Sequence, residues 1–273
     1  IMLITLNYLQ YFILGTCIGS FLNVVIYRLP INLSIIKPRS FCPSCKNNLS
    51  WLENIPLLSW IIQKGRCIHC GKSISFRYPF IELITGILFV IFVNSSPTLY
   101  QININLLLQL ILSWVFLSLL VCITFIDIDN LWIPQVLINF GLISGLLIFV
   151  FIDIYKGNSL DQSLIIKSIS SSIISFFIFE FLRKIAKYMF KKEAIGKGDS
   201  KLVAMLAMWL GPLGTLFAVA ISYVFAAIYC LVGISINLLK FRQVIPFAPF
   251  LSIGGLFVWF LGNNFFINKI LRI

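Results

Sequence analysis

Charge is what this sequence has least of. Only 11% of its 273 residues are charged, the acids number 9, and there is a single histidine, His69. With 60% hydrophobic residues and 26 phenylalanines, that scarcity excludes an ordinary water-soluble globular domain. A GxGxxG phosphate loop is missing, and the one GxG, formed by Gly196 and Gly198, stands directly before Asp199. No helix-turn-helix or RNA-binding pattern accompanies the formal charge of +12, so nucleic acid is not an expected partner. No internal repeat or low-complexity tract stands out. The first apolar run lacks the basic start and small-residue cleavage site of a signal peptide and reads as a mature helix.

What is present is a series of apolar runs. Eight are candidates to cross a bilayer: 8–27, 79–95, 105–126, 133–152, 163–182, 200–211, 213–236 and 246–262, the sixth and seventh joined through Gly211 and Pro212. The fold expected is an all-α polytopic membrane protein of about eight transmembrane helices. Loop charge orients it. Between residues 28 and 78 stand Arg28, Lys37, Arg39, Lys46, Lys64, Arg66, Lys72 and Arg77 against the single acid Glu53, an excess that belongs on the cytoplasmic side. The uncharged "NSSPTLYQIN" and the slightly acidic "DIYKGNSLDQ" are expected outside. The basic "RKIAKYMFKKEAIGKGDSK" and the turn with Lys240 and Arg242 are expected inside, which leaves both ends external, Lys269 and Arg272 notwithstanding. Membrane lipids with anionic headgroups are expected partners on the basic side. Two parts result: residues 1–100, with helices 1 and 2 and a cytoplasmic insert at 31–78, and residues 101–273, with the other six helices.

The insert carries "CPSC" at 42–45 and "CIHC" at 67–70. Each CxxC can wrap two thiolates around one side of a tetrahedral ion, so Cys42, Cys45, Cys67 and Cys70 make a zinc-ribbon-like site. A reducing cytosol disfavours disulfides, and free thiols or a redox pair remain the alternative. His69 either replaces a cysteine as ligand or sits on the knuckle surface. Cys17, Cys122 and Cys230 lie in apolar runs and are expected to pack there.

The carboxylates pose the functional question. Asp127 and Asp129 stand in "FIDIDNLWIP" and Asp199 in "GKGDSKL", where an ionisable group at the edge of the hydrocarbon is costly. By the topology above, Asp127 ends a helix arriving at the cytoplasmic face and Asp199 begins one leaving it. Two carboxylates that meet there can share a proton, one activating water while the other hydrogen-bonds the carbonyl under attack. Helix-end electrostatics favours Asp199 as the base and Asp127 as the acid. Gly196 and Gly198 would let a substrate strand come close. The competing reading is capping: Asp199 as N-cap with Ser200 and Lys201 behind it, and Asp127 or Asp129 capping the turn before Trp132 and Pro134. A proton-coupled transporter would need a polar path across the bilayer, and "SISSSIISFF" offers serines but no ionisable chain. A scaffold built around the cysteines is a third class.

In this order, "GSFLNVVIYRLP", the cysteine insert with "FRYPFIE", "FIDIDNLWIP", "EAIGKGDSKL" and "IPFAPF" resemble the bacterial type IV prepilin peptidases, the bifunctional leader peptidases and N-methyltransferases of pilus and type II secretion systems. The resemblance runs from about residue 15 to 255. It implies a GxGD-type aspartic protease of the inner membrane that cuts basic leaders from prepilins or pseudopilins at the cytoplasmic face. Asp127 and Asp199 would be catalytic, with Asp129, Gly196, Gly198 and Lys201 supporting. It also implies methylation of the new amino terminus with S-adenosylmethionine, associated with Gly19, Ser20, Asn23, Arg28, Arg77, Tyr78, Pro79 and Glu82, and it fits Zn2+ in the insert. A peptidase-only member is the alternative within the family. Glu82, about a turn into an apolar helix, is expected to pair with Arg28 or Arg77. Glu53, Glu193 or lipid headgroups would hold the basic leader. Gln135, Ile195 and Ala248 depart from the family pattern in ways that bear on substrate preference. Nothing in the sequence indicates an oligomeric state.

Overall fold

The computed structural model describes residues 2–93, 106–157, 163–191, 196–240 and 243–266. Glu193, Ile195, Arg242, Lys269 and Arg272, and residues 94–105 and 158–162, lie outside the described residues. Every regular element within them is helical, and two isolated antiparallel bridges, Phe41 with Asn48 and Arg66 with Ser73, supply the β pairing. The chain divides into two compact units, Ile1–Asn94 and Ser95–Ile273.

The first unit holds α1 (Met2–Arg28), the short α2 (Leu58–Ile62) and α3 (Arg77–Ile91). Glycines set the approach of α1 to α3. A Cβ on Gly15 would stand 2.8 Å from the Gly86 Cα, and one on Gly19 would stand 2.7 Å from the Glu82 Cα. The two backbones therefore touch where larger side chains would hold them apart, the usual solution for helices packing in lipid.

The second unit holds α4 (Leu106–Asn130), α5 (Gln135–Lys156), α6 (Leu164–Phe190), α7 (Lys197–Ser235), α8 (Ala248–Leu261) and α9 (Asn263–Phe266). Pro134 precedes α5, and Gly157 ends it at φ 63°, a left-handed cap that glycine adopts without strain. The start of α6 is built differently. The Asp153 carboxylate accepts the Ser163 hydroxyl at 2.8 Å and the backbone N–H groups of Leu164 and Ile165 at 3.1 and 3.0 Å. Donors that a helix start leaves unpaired are thus satisfied from the preceding helix.

Inside α7 the backbone breaks at Gly211, with φ 71° and ψ 179°, and Pro212 follows. Asp199 and Tyr223 stand twelve residues either side of Gly211, about 36 Å apart on a straight helix. Yet adjacent residues of α8 touch both arms: a Cβ on Gly255 would meet Leu206 on one arm, and a Cβ on Gly254 would meet Ala218 on the other, so the arms fold back toward each other at Gly211.

Aromatic side chains lock the unit together. Phe116, Trp209 and Trp259 pack mutually, with the Phe116 ring centroid 5.2 Å from Trp209 and 4.9 Å from Trp259 and the two indoles 5.9 Å apart. Both indoles are buried with their N–H satisfied, by the Gly141 carbonyl and by the Ser113 hydroxyl, each at 2.9 Å. Trp209 thereby ties α7 to α5 and Trp259 ties α8 to α4.

Among the described residues, five helical segments are long and apolar enough to cross a membrane: Tyr8–Arg28, Leu110–Asn130, Gln135–Tyr155, Leu164–Met189 and Lys197–Ser235. The chain is an all-α, multi-pass membrane protein. The eight apolar runs of the sequence correspond to α1, α3, α4, α5, α6, the two arms of α7, and α8. The sixth and seventh runs thus form one kinked element, and α3 and α8, with 15 and 14 residues, are shorter than a full span.

Candidate functional site

Asp127 lies in the last turn of α4 and is only 5% exposed. Its Oδ2 accepts the Ala248 backbone N–H at 3.0 Å, and the Phe247 N–H also bonds the carboxylate, so Asp127 caps α8 from another helix. Its own carbonyl accepts the Leu131 N–H at 2.9 Å, and Leu131 turns the chain at φ 50°. Asp199 stands near the start of α7, where its Oδ2 accepts the Gly196 N–H at 3.1 Å. Asp199 is the third residue of that helix and bonds back to its N-cap, Gly196, which corrects the expectation that Asp199 would itself be the N-cap. The two carboxylates are near enough for their charges to interact.

The neighbours serve this corner in different ways. Gly198 presses on Ile133, which a Cβ would meet at 3.1 Å, so the glycine lets the start of α7 approach the turn before α5. Lys201 Nζ donates to Gln135 Oε1, linking the same two helix starts. Asp129 is exposed. Tyr223 was not singled out by the sequence, because only the kink at Gly211 brings it back toward Asp199. Its ring packs on Phe247 at 5.1 Å, and Phe247 is one of the residues holding Asp127.

In the first unit the sulfurs of Cys42, Cys45, Cys67 and Cys70 all lie within 4.8 Å of one another, with Cys42 and Cys70 3.9 Å apart. Four thiolates around one Zn2+ stand about 3.8 Å from each other, from a Zn–S bond of about 2.3 Å, so the donor set fits a tetrahedral thiophilic ion. The surrounding loops are a repeat that the sequence did not reveal. The Cys42 N–H bonds the Asn47 carbonyl and the Cys67 N–H the Lys72 carbonyl, each at 2.9 Å. One step further out, the Leu49 N–H bonds Ser40 and the Ile74 N–H bonds Gly65. Backbone N–H bonds, led by that of Cys45, hold the Cys42 thiol at about 6 despite burial. Cys45 is pushed up to about 11, where burial and the sulfurs of Cys42, Cys70 and Cys67 outweigh the Asn47 N–H.

His69 is not part of the sulfur cluster. Its Nε2 lies 3.3 Å from Glu53 Oε1. The Ser50 hydroxyl and the Ser50 N–H, the latter at 2.7 Å, hold the Glu53 carboxyl below the usual carboxylate range, and His69 adds to this.

A cavity of about 370 Å³ lies between α1, α3 and the insert. Ser20, Asn23, Arg28, Tyr78, Pro79 and Glu82 line it, as do Glu53 and Trp60. Gly19 and Arg77 are not among its lining residues, and Gly19 serves the helix contact described above. The expected pairing of Glu82 with Arg28 is overturned. Glu82 Oε2 accepts the Leu57 N–H at 2.8 Å, with Ser20 as a second partner. The Arg28 guanidinium instead donates to the carbonyls of Ser34 and Pro38 at 2.9 Å and of Arg39 at 3.1 Å. Its five fixed donors suit a loop that turns its carbonyls inward.

Two family models match successive parts of the chain. The bacterial peptidase A24 N-terminal domain matches residues 13–95, and the type IV leader peptidase family matches residues 114–231. A Myxococcus xanthus protein named prepilin leader peptidase/N-methyltransferase is 38% identical over 199 residues, 73% of this chain and 55% of its own length. An Escherichia coli protein named type 4 prepilin-like proteins leader peptide-processing enzyme is 33% identical over 260 residues, 89% of each chain. An Aeromonas salmonicida prepilin leader peptidase/N-methyltransferase is 34% identical over 281 residues, 93% of this chain and 90% of its own. No solved structure matches the chain. With near-complete coverage at this identity and both domain types in sequence order, the chain belongs to the type IV leader peptidase family.

Proposed function

We propose that this protein removes the basic leader of a prepilin or pseudopilin with Asp127 and Asp199, and methylates the amino terminus so exposed within its first unit. What supports the peptidase reading is that two carboxylates near the ends of separate helices, each held by backbone N–H groups, lie close enough for their charges to interact. One carboxylate takes a proton from water while its partner, holding the shared proton, hydrogen-bonds the scissile carbonyl. The proton then passes to the departing amine. Gly196 supplies the N–H that Asp199 accepts, Gly198 lets the start of α7 close on Ile133, and Lys201 ties the same corner to Gln135. Asp129 supports without reacting. The charge of the basic loops favours the cytoplasmic face of the inner membrane for this corner.

For the methyltransferase, the cavity is within the usual size range of small-molecule sites. Its carboxylates and the Trp60 ring suit a ligand that is cationic and carries an aromatic base. S-adenosylmethionine would supply an electrophilic methyl group there. Glu82 and Asn23 would orient the donor, while Tyr78 and Pro79 at the start of α3 line the cavity beside it. Zn2+ held by the four cysteines would fix the insert that forms the rest of the cavity.

The test is cleavage of a prepilin in membranes by the wild type and by Asp127→Ala, Asp199→Ala and Asp129→Ala, with the mature terminus read by mass spectrometry. The expected result is loss of cleavage in the first two variants only, and a methyl group on the wild-type product. Cleavage that survives loss of both aspartates would reduce them to helix caps. An unmethylated wild-type product would leave a peptidase alone.

A further inference from the structure

A second concavity, a groove of about 550 Å³, opens between α1 and the insert. Phe21 and Val24 of α1 line it together with Ile35, Ile36, Arg39 and Trp51 of the insert. Phe21 is 53% exposed on a helix that crosses the bilayer, so part of the lining meets acyl chains. Ile36 and Trp51 are 85% and 77% exposed on the insert. Large apolar groups left so open on a polar insert mark an interaction surface.

Charge identifies the occupant. Lys37, Arg39, Lys46, Lys64, Arg66 and Lys72 all stand on the insert, and its one acid, Glu53, pairs with His69. The insert therefore offers cations to whatever it meets. Arg28 also lines the groove, but its guanidinium is taken by backbone carbonyls, which leaves Arg39, and Lys37 in sequence between the lining residues Ile36 and Pro38, for an external anion. Close by in sequence, α2 turns Trp60 inward to the Ile74 carbonyl and leaves Leu58, Ile61 and Ile62 exposed at helical spacing. The insert follows directly on α1, which is long and apolar enough to cross the bilayer, so it begins at the bilayer surface.

We propose that this groove seats an anionic phospholipid of the surrounding bilayer. An acyl chain would lie along Phe21, Val24 and Ile35, and the phosphate would be held by Arg39 and Lys37. Trp51 would stand at the headgroup level, where indole rings are favoured. The insert would thus rest on lipid at a fixed place.

Purified full-length protein in detergent is titrated with phosphatidylglycerol carrying brominated chains, and the fluorescence quenching lost in Trp51→Phe is taken as the signal from the groove. Saturable quenching is expected. The double change Lys37→Gln with Arg39→Gln should raise the half-saturating lipid concentration roughly 30-fold, the value of two cations near an anionic surface. Lys46→Gln, which unlike Lys37 is not flanked by lining residues, should leave it unchanged, and prepilin cleavage by all these variants should match the wild type. Equal quenching by brominated phosphatidylcholine, displacement by inorganic phosphate, or an equal shift in Lys46→Gln would overturn the proposal. So would Trp51-dependent cross-linking between two copies of the chain in place of lipid.

Discussion

The Asp127 carboxylate accepts the backbone N–H of Ala248 across 121 residues of sequence, at 3.0 Å. An acid in the last turn of one helix is therefore oriented by the first residue of another. The "IPFAPF" segment thereby acquires a physical role, the delivery of N–H donors to Asp127. Any side chain at position 248 that preserves the backbone N–H should preserve that role.

Ala248→Gly is accordingly expected to retain cleavage, whereas Ala248→Pro removes the donor. Proline is tolerated at the first position of a helix, so α8 should still form. A charge-assisted hydrogen bond is worth about 1.5–3 kcal/mol, so cleavage should fall on the order of tenfold to a hundredfold. Rates in detergent alongside thermal unfolding separate this from misfolding. Equal activity of the proline variant would show that Phe247 alone suffices to hold Asp127.

Asp153 gives the contrast. It is buried like Asp127 and likewise bonded to the start of the next helix, through Ser163, Leu164 and Ile165. Both of its carboxylate oxygens are committed to that helix start, so its function is capping. Asp153→Asn should lower stability by about 1–2 kcal/mol, measured as a reduced Tm, while cleavage below the transition continues. Loss of cleavage without loss of stability would bring Asp153 into the chemistry.

How much of this was legible beforehand depends on the range of each interaction. Gly211 followed by Pro212 announced the break in α7, since one frees the backbone and the other removes a donor. The cysteine spacing announced the knuckles for the same local reason. Arg28 could not be read, because a cation on a helix beside an acidic neighbour helix looks like half of an ion pair. Its actual partners are carbonyls that exist only once residues 34–39 have turned inward. The bonds of Glu82 to Leu57 and of Asp127 to Ala248 and the return of Tyr223 toward Asp199 all require tertiary packing. The repeat of the knuckles is a repeat of backbone bonds between loops with few identical side chains.

Metal binding should follow the sulfurs and be indifferent to the histidine. Cys45→Ser removes one of four converging ligands and should weaken Zn2+ binding by more than the ~10–100-fold cost of losing an outer partner. His69→Ala should change it by less, since that ring faces Glu53. Competition against a chelator, with metal counted per chain, measures both. A histidine variant as impaired as the cysteine variant would make His69 a ligand.

Glu82 is where the methyltransferase reading is most exposed to test. Its carboxylate lines the cavity, with one oxygen committed to the Leu57 N–H at 2.8 Å. Glu82→Gln keeps an acceptor for that N–H and removes the charge, so the insert should hold its place while attraction for a cationic donor is lost. A hydrogen bond to a charged group is worth about 1.5–3 kcal/mol, so the Kd for S-adenosylmethionine by equilibrium dialysis should rise about tenfold or more. Prepilin cleavage by the same variant should be unchanged. Unaltered donor affinity would move the methyl donor out of this cavity. A parallel fall in cleavage would instead mean that Glu82 supports the fold, because a residue that binds only the donor has no route to the chemistry of Asp127 and Asp199.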